Sequence, residues 1–180
     1  MAAASLPVRG PLGRALDRLY DATAALGAIA MVLLLVAVLS SIVSREIGFN
    51  IPGIDAYAGY MMAAAGFLAM AHTLKRGEHI RVTLLLSSLH GSAKRGLEIW
   101  ALFAASLLAL LLAVYSCKLA WQSYTFHDIS TSNDATPLWL PELTMAFGAV
   151  VLAIAFIDEF VLELRGRRVL PQSDEALRNE

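Results

Sequence analysis

Charge is scarce in this chain. Residues 22–43 contain no ionisable side chain, and over all 180 residues only 16% are charged while 58% are hydrophobic. A soluble core of this size could not hide so much apolar surface, so the composition reads as an integral membrane protein. Cysteine is nearly missing as well. Cys117 is the only thiol, which leaves no internal disulfide and excludes a four-helix, quinone-linked dithiol oxidase. A single Cys near a helix end reads most simply as packing.

What is present is organised in apolar runs. Four segments, 22–43, 56–74, 99–117 and 138–157, approach the roughly 20 helical residues that cross a hydrocarbon core about 30 Å thick. The expectation is an all-α integral membrane protein with four transmembrane helices and short interfacial amphipathic helices. Its parts would be an N-terminal amphipathic segment over 1–21, a four-span membrane domain over 22–163 and a polar tail over 164–180. The first run is too long for the apolar region of a signal peptide, about 7 to 15 residues, and leads into Ser44-Arg45-Glu46 rather than a small-residue cleavage site.

The basic residues set the expected sidedness. Arg9, Arg14 and Arg18 precede the first span; Lys75, Arg76, Arg81, Lys94 and Arg95 lie between the second and third; Arg165, Arg167, Arg168 and Arg178 follow the fourth. Only Arg45 and Lys118 lie on the other side. By the positive-inside rule both termini and the middle loop are cytoplasmic, and the first and third loops face outward. The net charge of -1 conceals this asymmetry. Clusters so close to membrane ends suit anionic lipid and give no reason to expect nucleic acid.

Outside the spans, Pro11 to Asp21 carries Leu12, Leu16, Leu19 and Tyr20 near one helical stripe, which fits either an interfacial amphipathic helix or an extension of the first span. Val82 to Leu89 is too short to cross and too apolar for a solvated loop, so it is expected along the headgroups. Ser92 suits the N-cap of the third helix, with Trp100 just inside the interface. The longest outer stretch, Lys118 to Thr136, opens with Trp121, Tyr124 and Phe126 as an aromatic belt and continues with turn residues Ser130 to Asp134. Pro137 and Pro141 flank Trp139 where the fourth span begins, a place that tolerates proline.

Chemistry inside a membrane needs polar groups at depth, and none is centred in a span. Asp158, Glu159 and Glu163 fall at the inner end of the fourth span, Glu98 at the inner start of the third and Glu142 near the outer start of the fourth. This argues against a proton relay and against a small multidrug exporter, which needs an embedded carboxylate. His72, His79, His90 and His127 offer no pair at matching depth on two spans, so a bis-histidine haem is poorly supported. Arg45 and Asp55 bracket the short Gly/Pro loop between spans one and two and are placed to pair, for about 0 to 1 kcal/mol if exposed. Small residues Ala63, Ala64, Ala65, Gly66 and Ala69 in span two, and Ala101, Ala104, Ala105 and Ser106 in span three, permit close helix approach.

One stretch is more specific. Arg45, a Gly/Pro loop, Asp55, a span ending Ala71-His72-Thr73-Leu74, and then Lys75-Arg76-Gly77-Glu78-His79-Ile80-Arg81-Val82 resemble the small membrane subunit of tripartite ATP-independent periplasmic (TRAP) transporters. The close part runs from Arg45 to Leu89, and the Pro-x-Trp-x-Pro start of span four agrees more loosely. Ile54 and Asp55 stand where that family commonly has Trp and Glu, so an aromatic anchor is missing and the acid is shorter.

The resemblance implies a non-enzymatic scaffold in a secondary transporter of the bacterial inner membrane. A periplasmic binding protein would deliver an organic anion, and a large multispan subunit would carry the substrate and sodium sites. No cofactor is expected in this chain; sodium is expected in the large partner. Arg45, Asp55, Lys75, Arg76, Glu78, His79 and Arg81 are the expected structural, lipid or partner contacts, and Asp128 and Asp134 a possible dock for the binding protein. The alternative from another class is the membrane anchor of a haem- or quinone-linked redox complex.

Overall fold

The computed structural model describes residues 11–49, 51–76, 92–132 and 134–166. They form four helices: α1 (Pro11–Glu46), α2 (Ile54–Arg76), α3 (Ser92–Phe126) and α4 (Trp139–Leu164). All four are long and apolar enough to cross a membrane. Among the described residues the only strand-like feature is an isolated antiparallel bridge between Ile129 and Pro137.

The helices run further than the apolar segments because nothing stops them. α1 passes without a break from Pro11 through Asp21, so the N-terminal segment extends the first span rather than lying apart from it. Its end is set by Gly48, at φ 76, where the Phe49 N–H reaches back to the Ser44 carbonyl at 2.8 Å, a left-handed cap that glycine adopts without steric cost. α3 likewise continues through Trp121 and Tyr124 to Phe126, shortening the outer loop expected from Lys118. No Gly or Pro interrupts that stretch. His127 takes the left-handed stop, at φ 56, and the Asp128 N–H closes on the Ser123 carbonyl at 3.0 Å. The apolar element expected over Val82 to Leu89 lies outside the described residues.

The packing is a row rather than a closed bundle. Extensive contacts join α1 to α2, α2 to α4 and α4 to α3. α1 buries a narrow seam of Tyr20, Thr23, Gly27 and Ala30, continued by Ser41 and Ser44; the steps of three and four from Tyr20 to Ala30 give the 3.5-residue period of left-handed helix packing. α3 does the same with Leu102, Ala109, Ala113, Ser116, Ala120 and Ser123. Most of these side chains are small, which lets backbones approach where no water-driven force exists between helices. The third span's seam therefore sits further along than the small residues at 101–106: Ala101 is exposed and Ala104, Ala105 and Ser106 half-buried. In α2, Ala64 and Ala65 are buried while Ala63 and Gly66 face outward.

α4 is the central helix, with 44% of its span buried against 17% for α1 and α3. One face packs Val151, Leu152 and Ala155 against Tyr20, Ala71 and Leu74. The other packs Ala149 and Ala153 against Ala109 and Ala113. Between α2 and α4 the backbones come close at Gly148, where a Cβ would fall 2.6 Å from the Phe67 carbonyl oxygen. Gly148→Ala should therefore push the two helices apart at a cost of about 1 to 3 kcal/mol. Gly66→Ala, which meets open space, should be neutral or slightly stabilising. Thermal unfolding in detergent reads the difference, and equal melting temperatures for the two variants would refute the close contact.

Candidate functional site

Polar side chains gather at the two ends of the row and leave its middle apolar. At the end that carries the described helix termini Pro11 and Leu164, Lys75 sits on the last turn of α2 with its side chain 11% exposed. α2 and α4 run parallel, which brings Asp158 and Glu159 to the same level. The Lys75 ammonium donates to the Asp158 carboxylate and, at 2.8 Å, to Glu159 Oε1. It also lies 5.4 Å from the centre of the Tyr20 ring, within reach of a cation–π contact. Tyr20 is 1% exposed, so a single ammonium ties α1, α2 and α4 together. Beside it the His72 Nδ1 stands 3.2 Å from Asp21, a second link between α1 and α2.

Lys75, Asp158 and Glu159 are worth more than a surface ion pair because their side chains are largely shielded from water. Removing one partner of a buried pair typically costs about 3 to 5 kcal/mol. Arg76, one residue on, is exposed. Glu78, His79 and Arg81 lie outside the described residues.

At the opposite end Arg45 and Asp55 do meet, Nη2 to Oδ2 at 2.5 Å, with both side chains more than 60% exposed. The Ser41 hydroxyl donates to the other carboxylate oxygen at 2.8 Å, so the α1–α2 corner is held from two turns of α1.

Asp128 and Asp134 play different parts. The Asp128 side chain is exposed while its carbonyl accepts the Leu138 N–H at 3.0 Å. Asp134 is turned inward. Its Oδ2 accepts the Tyr60 hydroxyl at 2.9 Å, and a Cβ on Gly53 would fall 2.7 Å from the Asp134 Cβ. Gly53 stands at φ 81, so both its conformation and this contact require glycine. The Thr136 and Tyr57 hydroxyls meet at 3.2 Å, and the Tyr57 and Tyr60 rings meet edge to face. Together these groups clasp the loop before α4 to the start of α2. Burial works to raise the Asp134 pKa, but hydrogen bonds from Thr136, Ser130, Tyr60 and its own backbone outweigh it and hold the carboxyl below its ordinary value.

Sequence reasoning placed Asp158 and Glu159 at the inner end of the fourth span without joining them to Lys75. Their shared depth on two helices of the same direction was the available signal. Tyr60 and Gly53 were missed because nothing local ties them to Asp134, which is 74 residues from Tyr60 and further still from Gly53. Among the described residues no group of three His, Cys, Asp or Glu side chains is arranged to hold a metal.

The arrangement is one of clasps between helices. Residues 34–166, which take in Lys75, Asp158 and Glu159 at one end and the Arg45 and Asp134 contacts at the other, match the family of tripartite ATP-independent periplasmic transporters, DctQ component. The chain belongs to this family. The match runs from the last third of α1 to the turn that ends α4, so it takes in α2, α3 and α4 whole and leaves the first two thirds of α1 outside it. No curated protein matches the chain significantly. As a DctQ component it is a multi-pass membrane protein and the small subunit of a TRAP transporter, a family defined by transport.

Lys75→Met should lower stability by about 3 kcal/mol, whereas Arg45→Ala, at an exposed pair, should cost less than about 1 kcal/mol. Unfolding in matched micelles measures both, and equal losses would contradict the burial difference. For Asp134 the depressed folded pKa means its contribution is present above the unfolded aspartate pKa of about 3.9 and is lost as pH falls through the lower folded value. The loop clasp should thus stay closed at pH 5, and Tyr60→Phe should move its titration upward. The carboxyl carbon shift of Asp134, followed by NMR against pH, reports this; a midpoint above that of a free aspartate would be the wrong sign.

Proposed function

We propose that this DctQ component is a scaffold of the bacterial inner membrane, bracing a large multispan subunit that imports an organic anion with sodium while a periplasmic binding protein delivers the substrate. Both termini, Lys75 and the loop after α2 are cytoplasmic in this reading, and the Arg45 and Asp134 clasps face the periplasm. The observation that supports it best is the distribution of polar groups. Lys75 ties α1, α2 and α4 at one end, and at the other Arg45 and Asp55 join α1 to α2 while Tyr60 and Asp134 join α2 to the loop before α4, so these polar groups serve contacts between helices. A brace needs that rigidity.

The role of this chain is mechanical rather than enzymatic. Sodium and substrate sites belong to the large partner, and no cofactor is assigned here. Glu78, His79 and Arg81 anchor the connection after α2 to headgroups or to the large subunit, as Lys75 anchors its last turn. Asp128, exposed beside the α3 stop, offers the binding protein a charge for steering. Asp134 supports that surface from beneath.

Affinity purification of the chain in a mild detergent should bring down a much larger multispan protein, and His79→Ala with Arg81→Ala should reduce both its recovery and substrate uptake about tenfold, the equivalent of about 1.4 kcal/mol of association energy. Iron–sulfur or flavin subunits in the same eluate, or unchanged recovery and uptake in the double variant, would overturn the proposal.

A further inference from the structure

The two edges of the row differ in a way that assigns them different neighbours. On α3, Trp100 and Trp121 are 66% and 69% exposed, and their separation along the helix is about 32 Å. That is close to the hydrocarbon thickness of about 30 Å. Tryptophans so spaced sit at the two headgroup levels of a helix that faces lipid. α1 has no such pair. Its one aromatic residue is Tyr20, which is turned into the core at 1% exposure, and between residues 22 and 43 its exposed surface is apolar and non-aromatic.

Beside α1 lies a trough of about 390 Å³ at mid-depth, with Leu26, Ile29 and Leu33 of α1 as one wall, Leu143 and Phe147 of α4 as the other, and Ala64 of α2 in the floor. Thr144 is the one polar side chain lining it, and its hydroxyl is spent on the Pro141 carbonyl at 2.7 Å. The trough therefore offers shape and dispersion contacts but no polar recognition, which fits the side of an apolar helix.

Area separates the edges as well. Trough and α1 together present a strip about 20 Å wide over about 30 Å of membrane, roughly 600 Å² per partner, which reaches the lower range of specific interfaces. The α3 edge, one convex helix wide, offers roughly half of that.

We infer that a transmembrane helix of the large subunit lies along the trough between α1 and α4, and that α3 forms the lipid-facing edge. The inference rests on the transporter reading. It is tested in the intact complex, purified from membranes with the large subunit, by placing a benzophenone amino acid at Ile29 or Leu33 and, for comparison, at Leu107 or Leu111. These positions are exposed in the isolated chain, so the probe does not disturb the packing. Irradiation should give an abundant adduct with the large subunit at Ile29 and Leu33 and little or none at Leu107 and Leu111. Adducts mainly from α3, or only phospholipid adducts from the trough while the complex stays whole, would overturn the inference and leave the transporter reading standing. Failure of any large membrane protein to accompany the chain would overturn both.

Discussion

The α2–α4 contact at Gly148 is the constraint on which the row depends. Gly148 stands so close to the Phe67 carbonyl that no side chain fits between them. That proximity fixes the spacing of the two inner helices, and α1 and α3 then dock on their outer flanks through narrow seams of alanine, serine and glycine. Inside a bilayer there is no water to drive such helices together, so dispersion contacts at short range must supply the attraction. Small residues make those contacts possible. A larger side chain at Gly148 would weaken the junction that all four helices share.

The polar clasps act on top of this spacing and differ from one another in weight. Lys75, Asp158 and Glu159 are largely shielded from solvent, and their attraction is correspondingly strong. Arg45 and Asp55 are mostly exposed, so their contribution is orientation more than energy. The Asp134 clasp lies between these extremes. It closes a loop with hydroxyl groups instead of opposing charges, so salt should affect it little.

Much of the architecture was legible in the amino-acid order. The four spans follow from runs of apolar residues that no membrane protein could expose to water, and the Arg45–Asp55 pair follows from a loop too short to separate them. The family was legible from the run Lys75 to Val82. Helix ends were less so, because α1 and α3 continue until a left-handed residue stops them, and His127 carries no strong compositional mark of a stop. The seams were partly visible as small residues. Which of several alanines turns inward depends on a neighbour helix, so Ala109 and Ala113 were no more conspicuous than Ala101 and Ala104. The link between Tyr60 and Asp134 was invisible for the same reason: it joins residues 74 apart and has no local signature.

Four helices in a closed bundle share a central axis, and an axis can be hollowed into a pore. A row has none. The middle two helices here are separated by less than a methyl group at Gly148, and the outer two look away from each other on opposite flanks. A solute crossing the membrane beside this chain would find a wall on one side only. The remaining sides of any passage have to come from outside the row.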